Sequence, residues 1–347
     1  MRLDVGSFAG YLADAVVLVT GAGGSIGAEL SKHLTRLGVD SLVLLDHAEA
    51  PLAALARALR EEQMFDRTAP VLADITSRAR MLDVFERYRP DVVFHAAAYK
   101  HVSLLEEAPV EGVATNVLGT SCVVDAARHA GAGRFVLFST DKAVEPTNIL
   151  GQTKAVAEWI VAVAGRAADA SHASVRLVNV VDSAGSILPV FRRQIELGGP
   201  VTVTDPDATR YVMTADEAAS LAIVAGALAD SNGVFWLDSG PPVRVLDLAQ
   251  RLVSSAARDV GIEFVGLRAG ERLHEQLFSN GDEVAATPCE HVWRSPMHRV
   301  DPGWLDQWLA VLERHVERAS STLVRAALAE MHAVAASEAA PPAMVVA

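Results

Sequence analysis

The apolar run Val16-Val17-Leu18-Val19-Thr20 ends in Gly21-Ala22-Gly23-Gly24-Ser25-Ile26-Gly27 and passes directly into a helical pattern. Strand, glycine loop and helix in that order make a cradle for a pyrophosphate. Gly21 permits the tight turn, Gly24 lets the backbone approach the phosphates, and Gly27 lets the helix pack on the strand. Ser25 and Ile26 open the helix whose N-terminus faces the ligand. A second apolar run ends at Asp46, nineteen residues beyond Gly27. A carboxylate there accepts hydrogen bonds from both ribose hydroxyls and repels a 2′-phosphate. His47 rather than an Arg follows it, so the expected cofactor is NAD and not NADP. Asp74-Ile75 closes a third run and has two readings: a partner for the adenine amino group, or a cap for a helix starting near Ser77.

Such a loop needs parallel strands to hold it. Short apolar runs at 16–20, 41–46, 70–73, 92–96, 134–139 and 174–179 alternate with longer segments of helical period, the mark of βαβ units. The runs are continuously apolar, as strands covered by helices on both faces are. The expected fold is therefore α/β, a doubly wound parallel sheet of Rossmann type over residues 1–179. From 180 to 299 the elements shorten between turn signals such as Gly198-Gly199-Pro200 and Gly240-Pro241-Pro242, and a smaller substrate-binding region is expected. In the remaining segment, 300–347, Leu305, Trp308, Leu309, Leu312 and Val316 recur at helical spacing. One amphipathic helix is expected there to about Ala335, followed by a frayed tail.

With 43 acidic against 30 basic residues, the 347-residue chain has a formal charge of −13, which repels nucleic acid and anionic membranes. No stretch reaches ~20 uninterrupted apolar residues. The first residues lack the basic start and apolar core of a signal peptide, so a soluble cytoplasmic protein is expected. Cys122 and Cys289 make no disulfide framework and fit a reducing compartment. Cys289, His291 and His298 match no zinc spacing, and no metal is expected.

Further motifs join the glycine loop: His95-Ala96-Ala97-Ala98-Tyr99-Lys100-His101-Val102, Asn116-Val117-Leu118-Gly119-Thr120, Ser139-Thr140-Asp141-Lys142-Ala143-Val144, Pro146-Thr147-Asn148 and Gly151-Gln152-Thr153-Lys154. In these the chain resembles the extended short-chain dehydrogenase/reductases. With Gly199-Pro200-Val201-Thr202-Val203-Thr204, Thr209-Arg210-Tyr211-Val212-Met213-Thr214 and Gly266-Leu267-Arg268-Ala269-Gly270-Glu271, it resembles more narrowly the soluble UDP-N-acetylglucosamine 4,6-dehydratases of polysaccharide biosynthesis, over about residues 16–278. The resemblance implies a tightly held NAD that the cycle leaves unchanged. Hydride leaves sugar carbon 4, water is lost across carbons 5 and 6, and hydride returns to carbon 6. It further implies Asp141 as the acid, Lys142 as the base and Thr140 as the hydroxyl directed at the substrate 4-OH.

By the same resemblance Lys154 bonds the nicotinamide ribose, Ala96 and Ala97 line the cofactor, and Asn116 maintains the active-site helix and a proton path. A chain of net charge −13 needs local cations for a diphosphate, and Arg210 and Arg268 are the candidates, with Arg192 a third. Asn179 is assigned to the diphosphate and Glu271 to the ribose hydroxyls of a UDP-sugar. Lys100 and His101 line the sugar pocket, and His101 reads equally well as structural. Residues 116–129 and 150–164, apolar over much of their circumference, are implied to pair across a homodimer or higher homo-oligomer.

Three departures stand out. Leu150 occupies the position, four before Lys154, where the superfamily has Tyr. Arg176-Leu177-Val178-Asn179-Val180-Val181-Asp182 keeps the family's Arg and Asn but loses two glycines, the second at Asp182. Glu145 replaces an Asn. A UDP-sugar epimerase or oxidoreductase, or a catalytically silent nucleotide-sugar-binding protein, therefore stand beside the dehydratase.

Overall fold

In the computed structural model the described residues are 3–167, 170–183, 185–229, 232–256, 260–279 and 282–337. The apolar runs form β1 (Val16–Thr20), β2 (Ser41–Asp46), β3 (Thr68–Leu72), β4 (Val92–His95), β5 (Arg134–Thr140) and β6 (Ser171–Leu177). They pair in parallel in the order β3-β2-β1-β4-β5-β6. Val17, Val19, Leu42 and Leu44 meet one helical layer, while Leu18, Val43 and Leu45 meet the other. Both faces are dry, which is why these runs show no polar alternation. The strand order reverses between β1 and β4, and the crevice at their C-terminal ends is where such sheets take ligands.

The connecting helices are α1 (Ser25–Leu34), α2 (Glu49–Glu61) and α3 (Arg78–Tyr88). After β4 come α4 (Val102–Glu107), α5 (Pro109–Val113), a π-helical turn (Ala114–Gly119) and α6 (Thr120–Ala130). A 3-10 turn (Asp141–Ala143) and α7 (Ile149–Ala167) follow β5. Beyond β6 lie β7 (Asn179–Val180), α8 (Ile187–Glu196), β8 (Val201–Val203), β9 (Thr209–Arg210), β10 (Val212–Met213) and α9 (Ala215–Ala227). They are followed by β11 (Gly233–Leu237), β12 (Val243–Arg244), α10 (Val245–Ser255), β13 (Ile262–Phe264), β14 (Ala285–Ala286) and β15 (Val292–Pro296).

The division expected at residue 179 is not a seam in the structure. β11 adds to β6 in parallel, and β15 and β14 follow antiparallel, completing a nine-stranded sheet among the described residues. Only a small lobe has a core of its own, where Phe191, Val201, Val203, Val245 and Ala249 pack between α8, β8 and α10. That lobe forms the far wall of the crevice.

The C-terminal segment is two helices, α11 (Pro302–Glu317) and α12 (Ser321–Ala336), rather than the one expected. Ala319 turns the chain at φ +48°, and Ser320 Oγ accepts a hydrogen bond from Leu323 N to start α12. The hairpin packs on α7: the Trp304 and His332 rings lie 6.0 and 4.8 Å from the Trp159 ring. Leu312, Val324, Leu328 and Met331 are fully buried in the same layer. The α7 surface assigned by resemblance to a second copy is thus covered by this chain itself, and pairing through it as expected is blocked. The expected frayed tail, 339–347, lies outside the described residues. Among the described residues no helix is long and apolar enough to cross a membrane.

Candidate active site

The glycine loop owes its shape to contacts no side chain could share. Gly21 has φ +65°, and a Cβ there would lie 2.6 Å from Ala97 N. At Gly27 it would lie 2.2 Å from Gly21 O. Gly24 is the N-cap of α1 and contributes no capping side chain to the helix's first N–H groups. Asp46, 6% exposed, ties this loop to the start of α2: Oδ2 accepts from Gly23 N and Oδ1 from Ala48 N, both at 2.9 Å. Each oxygen keeps a lone pair for a hydroxyl.

Gly21, Gly23, Gly24, Asp46 and Ala48, with Asp74, Ile75, Ala96 and Ala97, line a cleft of about 270 Å³, and Gly27 does not line it. Asp74 does not cap the following helix. Its Oδ1 accepts from Thr76 N and Oγ1 at 2.8 Å, and Ser77 is the N-cap of α3. A cradle that excludes Cβ atoms, an uncapped helix start and a cleft-facing carboxylate fit the adenosine diphosphate half of a dinucleotide.

Behind the cleft a proton-ordered chain holds β1, β4 and α6 together. Ala97 N donates to Thr20 Oγ1 at 3.3 Å, and Thr20 Oγ1 lies 2.7 Å from His95 Nδ1. His95 Nε2 lies 2.9 Å from Thr120 Oγ1, which in turn donates to Asn116 O. With the Thr120 proton committed, His95 carries its hydrogen on Nε2. Burial, aided by the charge of Lys154, drives the imidazole down to about 3 and keeps it neutral.

Asn116 is fully buried and does not line either cavity. Its Oδ1 accepts from Tyr99 N at 2.8 Å, and its Nδ2 donates to Tyr99 O and to Thr153 Oγ1 of α7. It braces the loop after β4 against α7. Ser25 lines neither cavity, while Ile26 lines the second.

That second cavity, about 430 Å³, shares Ala96, Ala98 and Tyr99 with the first. At its floor lie Thr140, the last residue of β5, and Lys142 of the following 3-10 turn, while Asp141 between them is fully buried and does not itself line the cavity. Thr140 Oγ1 donates to Asp141 Oδ1 at 2.9 Å, and Lys142 Nζ donates to the same oxygen at 3.0 Å. On its other side Lys142 Nζ meets Glu275 Oε1 at 3.3 Å, and Arg210 Nε lies 3.9 Å from that oxygen. Burial alone would lower the Lys142 pKa, but Asp141 and Glu275 outweigh it and hold the ammonium above the usual lysine range.

Lys154, one turn after Leu150 on α7, faces the same cavity. Burial lowers its pKa to about 8 against the pull of Glu158. Gly151 sets the closeness of helix and turn, because a Cβ there would lie 2.1 Å from Lys142 O.

Lys100, His101, Asn179, Arg210, Arg268 and Glu271 also line this cavity. Lys100 Nζ donates to Ser183 Oγ at 3.3 Å. Arg210 already donates to Thr209 O and Leu273 O through Nη1. Arg192 is not brought there: its guanidinium pairs with Asp182 on the exposed flank of α8. Asp182 sits at φ +60°, a conformation suited to the glycine it replaces and tolerated by Asp.

Residues 17–296 match the family described as polysaccharide biosynthesis protein. The chain belongs to that family. The capsular polysaccharide biosynthesis protein CapD of Staphylococcus aureus is 40% identical over 300 residues, 85% of this chain and 50% of CapD, so the chain spans about half the length of that relative. A UDP-glucose 4-epimerase of Rickettsia canadensis is 30% identical over 82% of this chain and 83% of its own. Among solved structures, Pen from Bacillus thuringiensis superposes with a TM-score of 0.76 at 29% identity, covering 82% of this chain and 89% of Pen. The fold is that of the extended short-chain dehydrogenase/reductases.

In this member of the polysaccharide biosynthesis family, several site residues carry no local sequence signal. Glu275, 7% exposed, arrives from a loop more than a hundred residues after Lys142. Arg272 reaches back to Val144 O, Glu145 O and Thr147 Oγ1, pinning the loop between Lys142 and α7. Glu106 Oε1 accepts from Ile149 N at 2.7 Å, and Arg325 of α12 holds its other oxygen at 2.9 Å. Glu158 is gripped by Arg176 through two bonds and by Ser139.

Proposed function

We propose that the chain is an NAD-dependent nucleotide-sugar 4,6-dehydratase acting on UDP-N-acetylglucosamine or a related UDP-sugar. The observation that carries this reading is that Thr140 and Lys142 face Lys154 across one cavity and both bond the buried Asp141 behind them, because dehydration needs an acid as well as a base where oxidation alone needs only a base for the hydroxyl proton. Gly21, Gly24 and the start of α1 would hold the pyrophosphate of NAD, Asp46 its adenosine ribose, and Lys154 the ribose next to nicotinamide. When bound, that ring supplies reversible acceptance of hydride from the sugar.

The chain's own residues move the protons. Thr140 Oγ1 directs its hydrogen at Asp141 Oδ1 and so turns lone pairs toward an incoming 4-hydroxyl. The 4-hydroxyl proton passes through Thr140 to Asp141, a route that needs no phenol and lets Leu150 stand where the superfamily has Tyr. Asp141, now protonated, gives that proton to the departing 6-hydroxyl, while Lys142 in its neutral form takes the carbon 5 proton. Arg210 and Arg268 anchor the diphosphate, with Asn179 beside them. Glu271 meets the uridine ribose, and Lys100 and His101 border the sugar.

The test is incubation of purified protein with UDP-N-acetylglucosamine, followed by mass. Loss of one water supports dehydration. An unchanged mass with a new sugar supports the epimerase reading, which the Rickettsia relative favours. Tight binding without transient cofactor reduction supports the silent binder.

A further inference from the structure

Lys142 cannot take the carbon 5 proton while it is an ammonium ion, and Asp141 is occupied by the proton it receives through Thr140. The ammonium proton needs another destination. Glu275 is the remaining group in reach: its Oε1 is 3.3 Å from Lys142 Nζ, its side chain is 2% exposed, and its Oε2 is buried with no hydrogen-bond partner. Asp141, Glu275 and Arg210 are the charged groups facing Lys142. Arg210, whose Nε lies 3.9 Å from Glu275 Oε1, is the cation beside that carboxylate, and it also lines the cavity among the candidate diphosphate anchors.

Resting on the dehydratase reading, we propose that Glu275 is the station that takes the Lys142 proton, and that a diphosphate drawing on Arg210 triggers the transfer. Glu275 acts through Lys142 and is a positioning residue for its proton.

The protons balance over a cycle. At the start Asp141 and Glu275 are carboxylates and Lys142 is ammonium. Oxidation at carbon 4 sends the hydroxyl proton through Thr140 to Asp141, and Lys142 passes one proton to Glu275. Neutral Lys142 then takes the carbon 5 proton as the C6–O bond breaks, and Asp141 protonates the leaving oxygen to give water. When hydride returns to carbon 6, Lys142 gives its proton back to carbon 5. Glu275 then re-protonates Lys142. The substrate has lost one water, and every group regains its first state.

Two measurements on the full chain test this. In infrared difference spectra on adding UDP, wild type should gain a protonated-carboxyl band that is absent in Glu275→Gln and retained in Asp141→Asn. No such band in wild type, or a band that survives Glu275→Gln, would overturn the proposal. In single turnover with UDP-N-acetylglucosamine in deuterium oxide, Glu275→Gln should still reduce the cofactor within about threefold of wild type. Its deuterium incorporation at carbon 5 should fall at least ~10²-fold, the scale of one positioned acid or base. Undiminished incorporation would overturn the proposal, as would equal loss of both steps, which marks a merely structural role. A wild type that reduces no cofactor with any UDP-sugar sinks the dehydratase reading alone, and the infrared result then judges Glu275 by itself.

Discussion

Replacing Gly151 with Ala tests how closely α7 must approach the catalytic turn. The added Cβ would lie 2.1 Å from Lys142 O, about 1.3 Å short of the 3.4 Å where ordinary contact begins. Its obstacle is backbone, and the next neighbours, Lys142 C at 2.9 Å and Pro146 Cβ at 3.1 Å, leave no side way out. Either α7 backs off by about 1 Å or the 141–143 turn does, and both change the distance from Lys154 to Thr140 and Lys142. Overpacking of this kind costs ~1–3 kcal/mol of stability. A misplacement of ~1 Å among reacting groups costs on the order of 10²-fold in rate. The assay is steady-state dehydration of UDP-N-acetylglucosamine beside thermal unfolding of the same preparation. The expected variant is folded, melts several degrees lower, retains its nucleotide-sugar affinity within about threefold, and loses ~10²-fold in kcat. A Gly151→Ala protein with wild-type kcat and melting temperature would refute the reasoning, since no relaxed structure could then hold the catalytic turn so close to the helix.

Asp46→Ala should weaken NAD binding and erase discrimination against NADP in calorimetry, and retained preference for NAD would remove Asp46 from ribose recognition. Thr140→Val, which keeps shape but loses the relay hydroxyl, should slow transient cofactor reduction by ~10²–10⁴-fold with substrate affinity intact, read by stopped-flow absorbance. Lys154 is charged in both folded and unfolded states below its folded pKa of about 8 and pays burial only when folded, so its contribution to stability should rise as pH increases from about 8 toward the ordinary lysine value. Lys154→Met should therefore unfold at a higher temperature at pH 7 and show a smaller rise above pH 8. A variant with the wild-type pH dependence of melting would contradict that sign.

The cofactor cleft was legible because its parts follow one another in the chain. The glycine loop and Asp46 are one βαβ unit, so spacing in sequence is spacing in the fold. Thr140, Asp141 and Lys142 were legible through the family resemblance, because an Asp-Lys pair at a strand end reads by itself as a solvated loop pair. Glu275, Arg272, Glu106 and Arg325 reach the site from distant segments, and a single charged residue in an irregular loop has no period to betray it. Arg192 misled because a cation's partner is not visible in sequence, and Asp182 had already taken it. The α11–α12 break was hidden for a chemical reason: Glu317-Arg318-Ala319-Ser320-Ser321 contains neither Gly nor Pro, and an Ala supplies the left-handed turn.

The hairpin also sets an order of events during synthesis. α7 leaves the ribosome with Trp159 and its apolar flank prepared for a partner that follows only at residues 302–336, after residues 180–299 have been made. Until then the helix carrying Lys154 lacks both its cover and the Arg325 clasp on Glu106 that steadies its first turn. Contacts this distant in sequence form late. For the proposed dehydratase, competence to turn over substrate is thereby tied to the arrival of the last helices, and a chain cut short near residue 300 would keep its cofactor cradle while leaving α7 without the layer that holds it.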